Sequence, residues 1–231
     1  MDLILYLLFL ITAALSVFAQ FNVTDTFKKF SKIQNSRGYT GADVARMLLE
    51  ANGINDVSVE PIKGNLTDHY DPTSKILRLS ESVYGSKSVA ALGVAAHETG
   101  HAVQHAQAYA PLTFRTNIAP ICSISSKLAI PLVIIGVFLC SFVNGFALIY
   151  AGIILFSLAV LFQLVTLPVE FDASNRAMQM LRGYGFLDDS EASDARKVLT
   201  AAALTYVAAA ASSIITLLRL LVRFNGGSRR R

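Results

Sequence analysis

Residues 95–107 read AAHETGHAVQHAQ, with His97, His101 and His105 at four-residue intervals and Glu98 directly after the first. On a helix, side chains four apart share a face, so the imidazoles of His97 and His101 can reach one zinc ion. Glu98 is turned by roughly 100° from His97 and can touch a water on that zinc, but not the zinc itself. Zinc lowers the pKa of such a water, and the carboxylate can take its proton and pass it to a leaving amine. The plainer alternative, a polar patch on a core helix, leaves two histidines and a glutamate with no partner in view. His105 lies some 6 Å further along the axis, too far for all three imidazoles to share one ion easily. It reads as a helix-face or supporting residue. Gln104 and Gln107 stand where a longer local pattern would need Gly and a third His.

The third ligand must therefore come from elsewhere, and with only Cys122 and Cys140 in the chain it must be a carboxylate or a distant histidine. PVEFDASNRAMQMLRGYG (168–185) follows a long uncharged run, and Glu170 opens its helical pattern. A His-His-Glu set leaves one position for water, as catalytic zinc sites do. Asp172 and Asp68 are the alternative donors, and a charge that only marks the membrane interface is the plainer reading of Glu170.

The elements that position these residues are apolar. Hydrophobic residues make up 53% of the 231 and charged residues only 16%, well below the share in soluble domains. They gather at 3–19, 128–167 and 198–222. Residues 1–19 have about the minimum length for a span and read as an N-terminal anchor. A cleaved signal peptide would need a basic start, which Met1-Asp2 does not supply. Residues 128–167 carry no charge, and the turn signal VNG at 143–145 divides them into a helical hairpin, with Pro131 in the first turn of its first helix. The run at 198–222 is long enough to span but rich in Ala, Thr and Ser, so it is either a fourth span or a helix of the catalytic domain. The soluble sequence lies at 20–127 and 168–197. Lys28, Lys29, Lys32 and Arg37 after the first apolar run place both stretches in the cytoplasm of a bacterial cell membrane.

The net charge of +4 comes from Arg219, Arg223, Arg229, Arg230 and Arg231, a basic end that suits anionic lipid head groups. No basic stripe with interleaved aromatics points to nucleic acid. Within 20–127, GADVARMLLEANG (41–53) has helical spacing and a glycine where C′ belongs. VSVEPI (57–62) and KILRLS (75–80) alternate like half-buried strands, joined by a turn-rich GNLTDHYDP, and residues 86–109 form one serine-capped helix.

YDPTSKILRLS, AAHETGHAVQHA and LPVEFDASNRA, in this order, resemble the YugP-like family of membrane zinc metallopeptidases across nearly the whole chain. More distantly they are similar to the HtpX and CAAX-prenyl-protease type, in which H-E-x-x-H is followed by a membrane hairpin and E-[FY]-x-A-D. The resemblance implies a mainly α membrane protein of three to four transmembrane helices with a small α+β zincin-like (gluzincin) catalytic domain. It also implies one zinc per chain held by His97, His101 and Glu170, and a peptide or membrane-protein substrate. The last motif position departs: Ser174 replaces an aspartate that orients a histidine ligand, which leaves that role to Asp172 or unfilled. KILRLS would be either the exposed edge strand to which substrate adds or an ordinary core strand. Two other classes compete: a structural zinc site closed by Asp172, and a membrane scaffold or transporter. The second would require charged or strongly polar groups inside the spans, where the hairpin has no charge and only two amides, Asn144 and Gln163.

Overall fold

Small residues such as Gly93 and Gly100 let the helices that carry the candidate site approach closely. The computed structural model describes residues 2–140 and 145–225. Its helices are α1 (Asp2–Phe30), α2 (Gly41–Ala51), a short α3 (Glu81–Tyr84), α4 (Val89–Ala106), α5 (Ala110–Leu139), α6 (Phe146–Gly183) and α7 (Asp189–Asn225). A three-stranded mixed sheet comprises β1 (Ser58–Ile62), β2 (His69–Asp71) and β3 (Ile76–Ser80), in the order β1-β3-β2. Strand β3 pairs parallel to β1, with Val59 opposite Leu77, and antiparallel to β2, with Tyr70 opposite Leu77. Among the described residues four helices, α1, α5, α6 and α7, are long and apolar enough to cross a membrane.

Two compact units emerge. One contains Ala19–Thr113 and Pro168–Leu204; the other contains the described residues up to Phe18, then Phe114–Leu167, then those from Thr205 onward. In the first, Leu77 and Leu79 of β3, Leu48 of α2, Leu92 of α4, Leu181 of α6 and Val198 of α7 are fully or almost fully buried in one core. Thr40 and Asp43 close a capping box at the start of α2, and Gly53 follows its end with φ 71°, the left-handed residue that the sequence places there. Ser88 caps α4 by accepting from Ala91 N. Glu191 ties the start of α7 to the chain after α1, accepting from Ser36 N at 2.6 Å and from Asp188 N at 3.0 Å. In the other unit, α5 and α6 pack through glycines. A Cβ on Gly152 would meet Ala129 O at 2.6 Å, which is the close approach that small residues allow between helices in lipid.

Several expectations change. Helix α5 begins at Ala110 and α6 continues to Gly183, so Pro131 lies well inside α5 and Glu170 well inside α6 instead of opening a helix. An uncharged run marks sequence compatible with lipid, whereas the hydrogen-bond ladder continues into polar sequence until something breaks it. Neither prolines nor charges end these helices, because spanning helices tolerate proline where neighbours satisfy the backbone. The two readings of 198–222 merge in α7: its start packs in the first unit and its remainder in the second. The turn-rich 64–72 stretch contains β2, and β3 (the KILRLS strand) is central, not an edge. Val143 and Asn144 of the expected turn, and Arg229, Arg230 and Arg231, lie outside the described residues.

The tightest contact beside the histidines is at Gly100, where a Cβ would stand 2.7 Å from Ala173 O of α6. Gly100→Val should force α4 and α6 apart and lower stability by about 1–3 kcal/mol. A thermal scan showing an unchanged midpoint would contradict this packing.

Candidate metal centre

His97 and His101 project from α4 one turn apart, their rings edge to face with centroids 4.8 Å apart. Gly100, between them in sequence, lets α6 come close enough to bring Glu170 onto the same spot. Glu170 Oε2 lies 3.3 Å from His97 Nε2 and 3.6 Å from His101 Nε2. Ligand atoms from the three residues all lie within 4.8 Å of one another, in a group able to hold a metal ion. Bonds of about 2.0–2.1 Å to a tetrahedral zinc put neighbouring donors about 3.3–3.4 Å apart, so the donors suit zinc in kind and the two separations from Glu170 suit it in length. The side chains are only 15%, 11% and 6% exposed, so a bound ion would interact with them largely shielded from water.

The outer nitrogens of both rings are engaged, which turns Nε2 toward the shared point. Gln104 is completely buried, and its Nε2 donates to two acceptors, Val169 O at 2.9 Å and Asp172 Oδ2 at 2.7 Å. Its Oε1 must then face His101 and accept from Nδ1–H at 3.0 Å. That fixes the His101 tautomer with a free lone pair on Nε2. Asp172 is held in turn by Arg176 Nε at 2.5 Å, and Arg176 Nη1 donates to Gln107 Oε1 at 2.6 Å. His97 Nδ1 lies 3.1 Å from Ser174 Oγ. Ser174 therefore supports a histidine from the position where the resembling proteases carry aspartate, so the role left to Asp172 or unfilled is taken by the serine itself. Asp172 serves the other histidine, through Gln104.

Burial disfavours the charged form of His101, but the carboxylates of Glu170 and Glu98 outweigh it and raise its pKa above the ordinary value. The same negative surroundings favour a divalent cation. Glu98 is 8% exposed and stands outside the three-donor group. Asp68 is also outside it. Its carboxylate accepts from Ser80 N at 2.7 Å and from Ser80 Oγ, while burial and the charge of Glu98 push its pKa up. His105 points elsewhere, its Nδ1 2.9 Å from Tyr70 OH on β2.

Gln104 is the residue that sequence reasoning passed over. Its spacing was a usable signal, since positions 97, 101 and 104 fall on one helical face. Gln104→Leu should weaken metal binding about 10–100-fold, as loss of a partner behind a ligating histidine does. Competition against a chelating dye measures it, and unchanged affinity would remove Gln104 from the site.

Residues 5–225 match the family model described as "Putative neutral zinc metallopeptidase". Over 222 residues the chain is 51% identical to "Putative membrane protease YugP" of Bacillus subtilis (strain 168), covering 95% of this chain and 97% of that relative. No solved structure is significantly similar. With a match running over nearly its whole length, through both histidines and Glu170, the chain belongs to the family of putative neutral zinc metallopeptidases.

Proposed function

We propose that the chain is a membrane-embedded, zinc-dependent endopeptidase that hydrolyses peptide bonds near the cytoplasmic membrane face, with a zincin-like arrangement of α4 and the sheet. The observation that carries this reading is the convergence of His97 Nε2, His101 Nε2 and Glu170 Oε2, with Glu98 beside the first ligand. When bound, zinc supplies a Lewis acid that lowers the pKa of water and polarises a carbonyl. His97, His101 and Glu170 would hold it, and Gln104 and Ser174 keep the imidazoles aimed. Glu98 acts as the base: its carboxylate accepts the proton of the attacking water and delivers it to the departing amine.

A structural zinc site needs a fourth protein ligand. Asp172 stands outside the group of converging donors, and its Oδ2 is taken up by Gln104 and Arg176. Substrate recognition falls to an edge strand instead of β3, which has neighbours on both sides; of the two edges, β1 and β2, it is β2 that is tied to the site-bearing helix. The Tyr70–His105 hydrogen bond sets β2 against α4, where an extended peptide adding to the strand would pass along the helix.

Glu98→Gln should keep one zinc per chain and lose peptide cleavage by about 10²–10⁴-fold, the usual contribution of a positioned base. Zinc content by mass spectrometry and cleavage of a casein or membrane-protein substrate read the two effects separately. Normal cleavage in this variant would rule out the chemistry. His105→Ala should retain zinc, whereas His97→Ala and His101→Ala should lose it.

Sidedness is tested with Lys63→Cys and Ser190→Cys, two exposed positions in the unit that holds the metal centre, in a Cys140→Ser background. Both should resist a membrane-impermeant thiol reagent in intact cells and react after permeabilisation. Labelling of either from outside would contradict a cytoplasmic catalytic face.

A further inference from the structure

In the unit formed by the apolar halves of the long helices, the start of α1 and the end of α7 enclose a groove of about 360 Å³ lined by Leu5, Tyr6, Thr216, Arg219, Leu220 and Arg223. Arg219 and Arg223 are one turn apart on the same face of α7, where like charges repel. Both sit in a helix otherwise apolar enough to span a bilayer, a setting in which an unneutralised guanidinium is costly. Among the residues whose side chains are described, 3–140 and 145–224, no ion pair forms to either. An arginine near a helix end commonly extends away to water. Arg219 instead folds back onto α1, its guanidinium 4.2 Å from the Phe9 ring centroid and 5.6 Å from that of Tyr6. The rings hold the charge at the groove wall and leave its donors to another partner.

We propose that this groove is a binding site for the head group of an anionic phospholipid. The charge complementarity is direct. Two guanidiniums present paired N–H donors that match a phosphodiester, and the first turn of α1 adds the partial positive charge of a helix N-terminus. Leu5, Leu220 and the aromatic faces supply an apolar wall of the kind an acyl chain follows below its head group. Tyr6 lies near the helix start, at the level where tyrosines favour the membrane–water interface. The groove belongs to one unit and the metal centre to the other.

The test uses the full chain purified in detergent and supplemented with phosphatidylglycerol or phosphatidylcholine. Native mass spectrometry reads bound lipid, and a thermal scan reads stabilisation. Phosphatidylglycerol should bind and raise the midpoint more than phosphatidylcholine does. Arg219→Gln with Arg223→Gln should weaken phosphatidylglycerol binding about tenfold or more. Arg229→Gln, Arg230→Gln and Arg231→Gln together should leave binding in place. Phe9→Leu, which removes the ring beneath Arg219 while keeping an apolar side chain, should weaken binding even if the double arginine variant does not fold. Equal effects of the two lipids, retention of the preference in both the arginine and Phe9 variants, or full stabilisation by glycerol phosphate alone would each overturn the proposal.

Discussion

The close approach of α4 and α6 governs the rest of the site. Gly100 faces Ala173 with no room for a side chain, and that close contact lets a carboxylate from residue 170 meet imidazoles from residues 97 and 101. Three donors from two helices then share a volume fit for one ion. Small residues elsewhere on α4 serve the same end. Gly93 lies against Ala195 of α7, and Ala90, Ala91, Ala95 and Ala96 are fully buried. A helix of large apolar residues would bury more surface per residue, but it would hold its neighbours too far away for the ligands to meet.

Support around the donors is asymmetric. His101 is fixed by an amide that is itself pinned to a backbone carbonyl and to a carboxylate gripped by arginine. His97 relies on one serine hydroxyl. An amide with its nitrogen committed twice has a single usable orientation, whereas a hydroxyl rotates to donate or accept. The stiffer ligand is therefore the more buried one, His101, and the partner of both histidines, Glu170, arrives from the same stretch of α6 that supplies Val169, Asp172 and Ser174.

Much of this was legible in the sequence because it rests on residue type and short spacing. His97, Glu98 and His101 declare themselves through the helical repeat, the end of α2 through Gly53, and β1 and β3 through alternation. Glu170 was legible as the first carboxylate after a long uncharged run. The parts that were not legible depend on partners distant in sequence. Gln104 needs Asp172, 68 positions away, to show its function. β2 is three residues long and owes its extended form to pairing with β3. Helix ends around the apolar runs were misplaced because lipid-compatible composition and helical hydrogen bonding stop at different residues. The order of the sheet, and with it the loss of KILRLS as an edge, cannot be read from alternation, which is the same for central and edge strands.

X-ray absorption at the zinc edge of the purified chain most directly tests whether two imidazoles and one carboxylate form an open site. The expected spectrum shows two histidine nitrogens and oxygen ligands at about 2.0–2.1 Å, with water completing the shell. A third imidazole, or a preparation that takes up no zinc, would contradict the assignment of His97, His101 and Glu170.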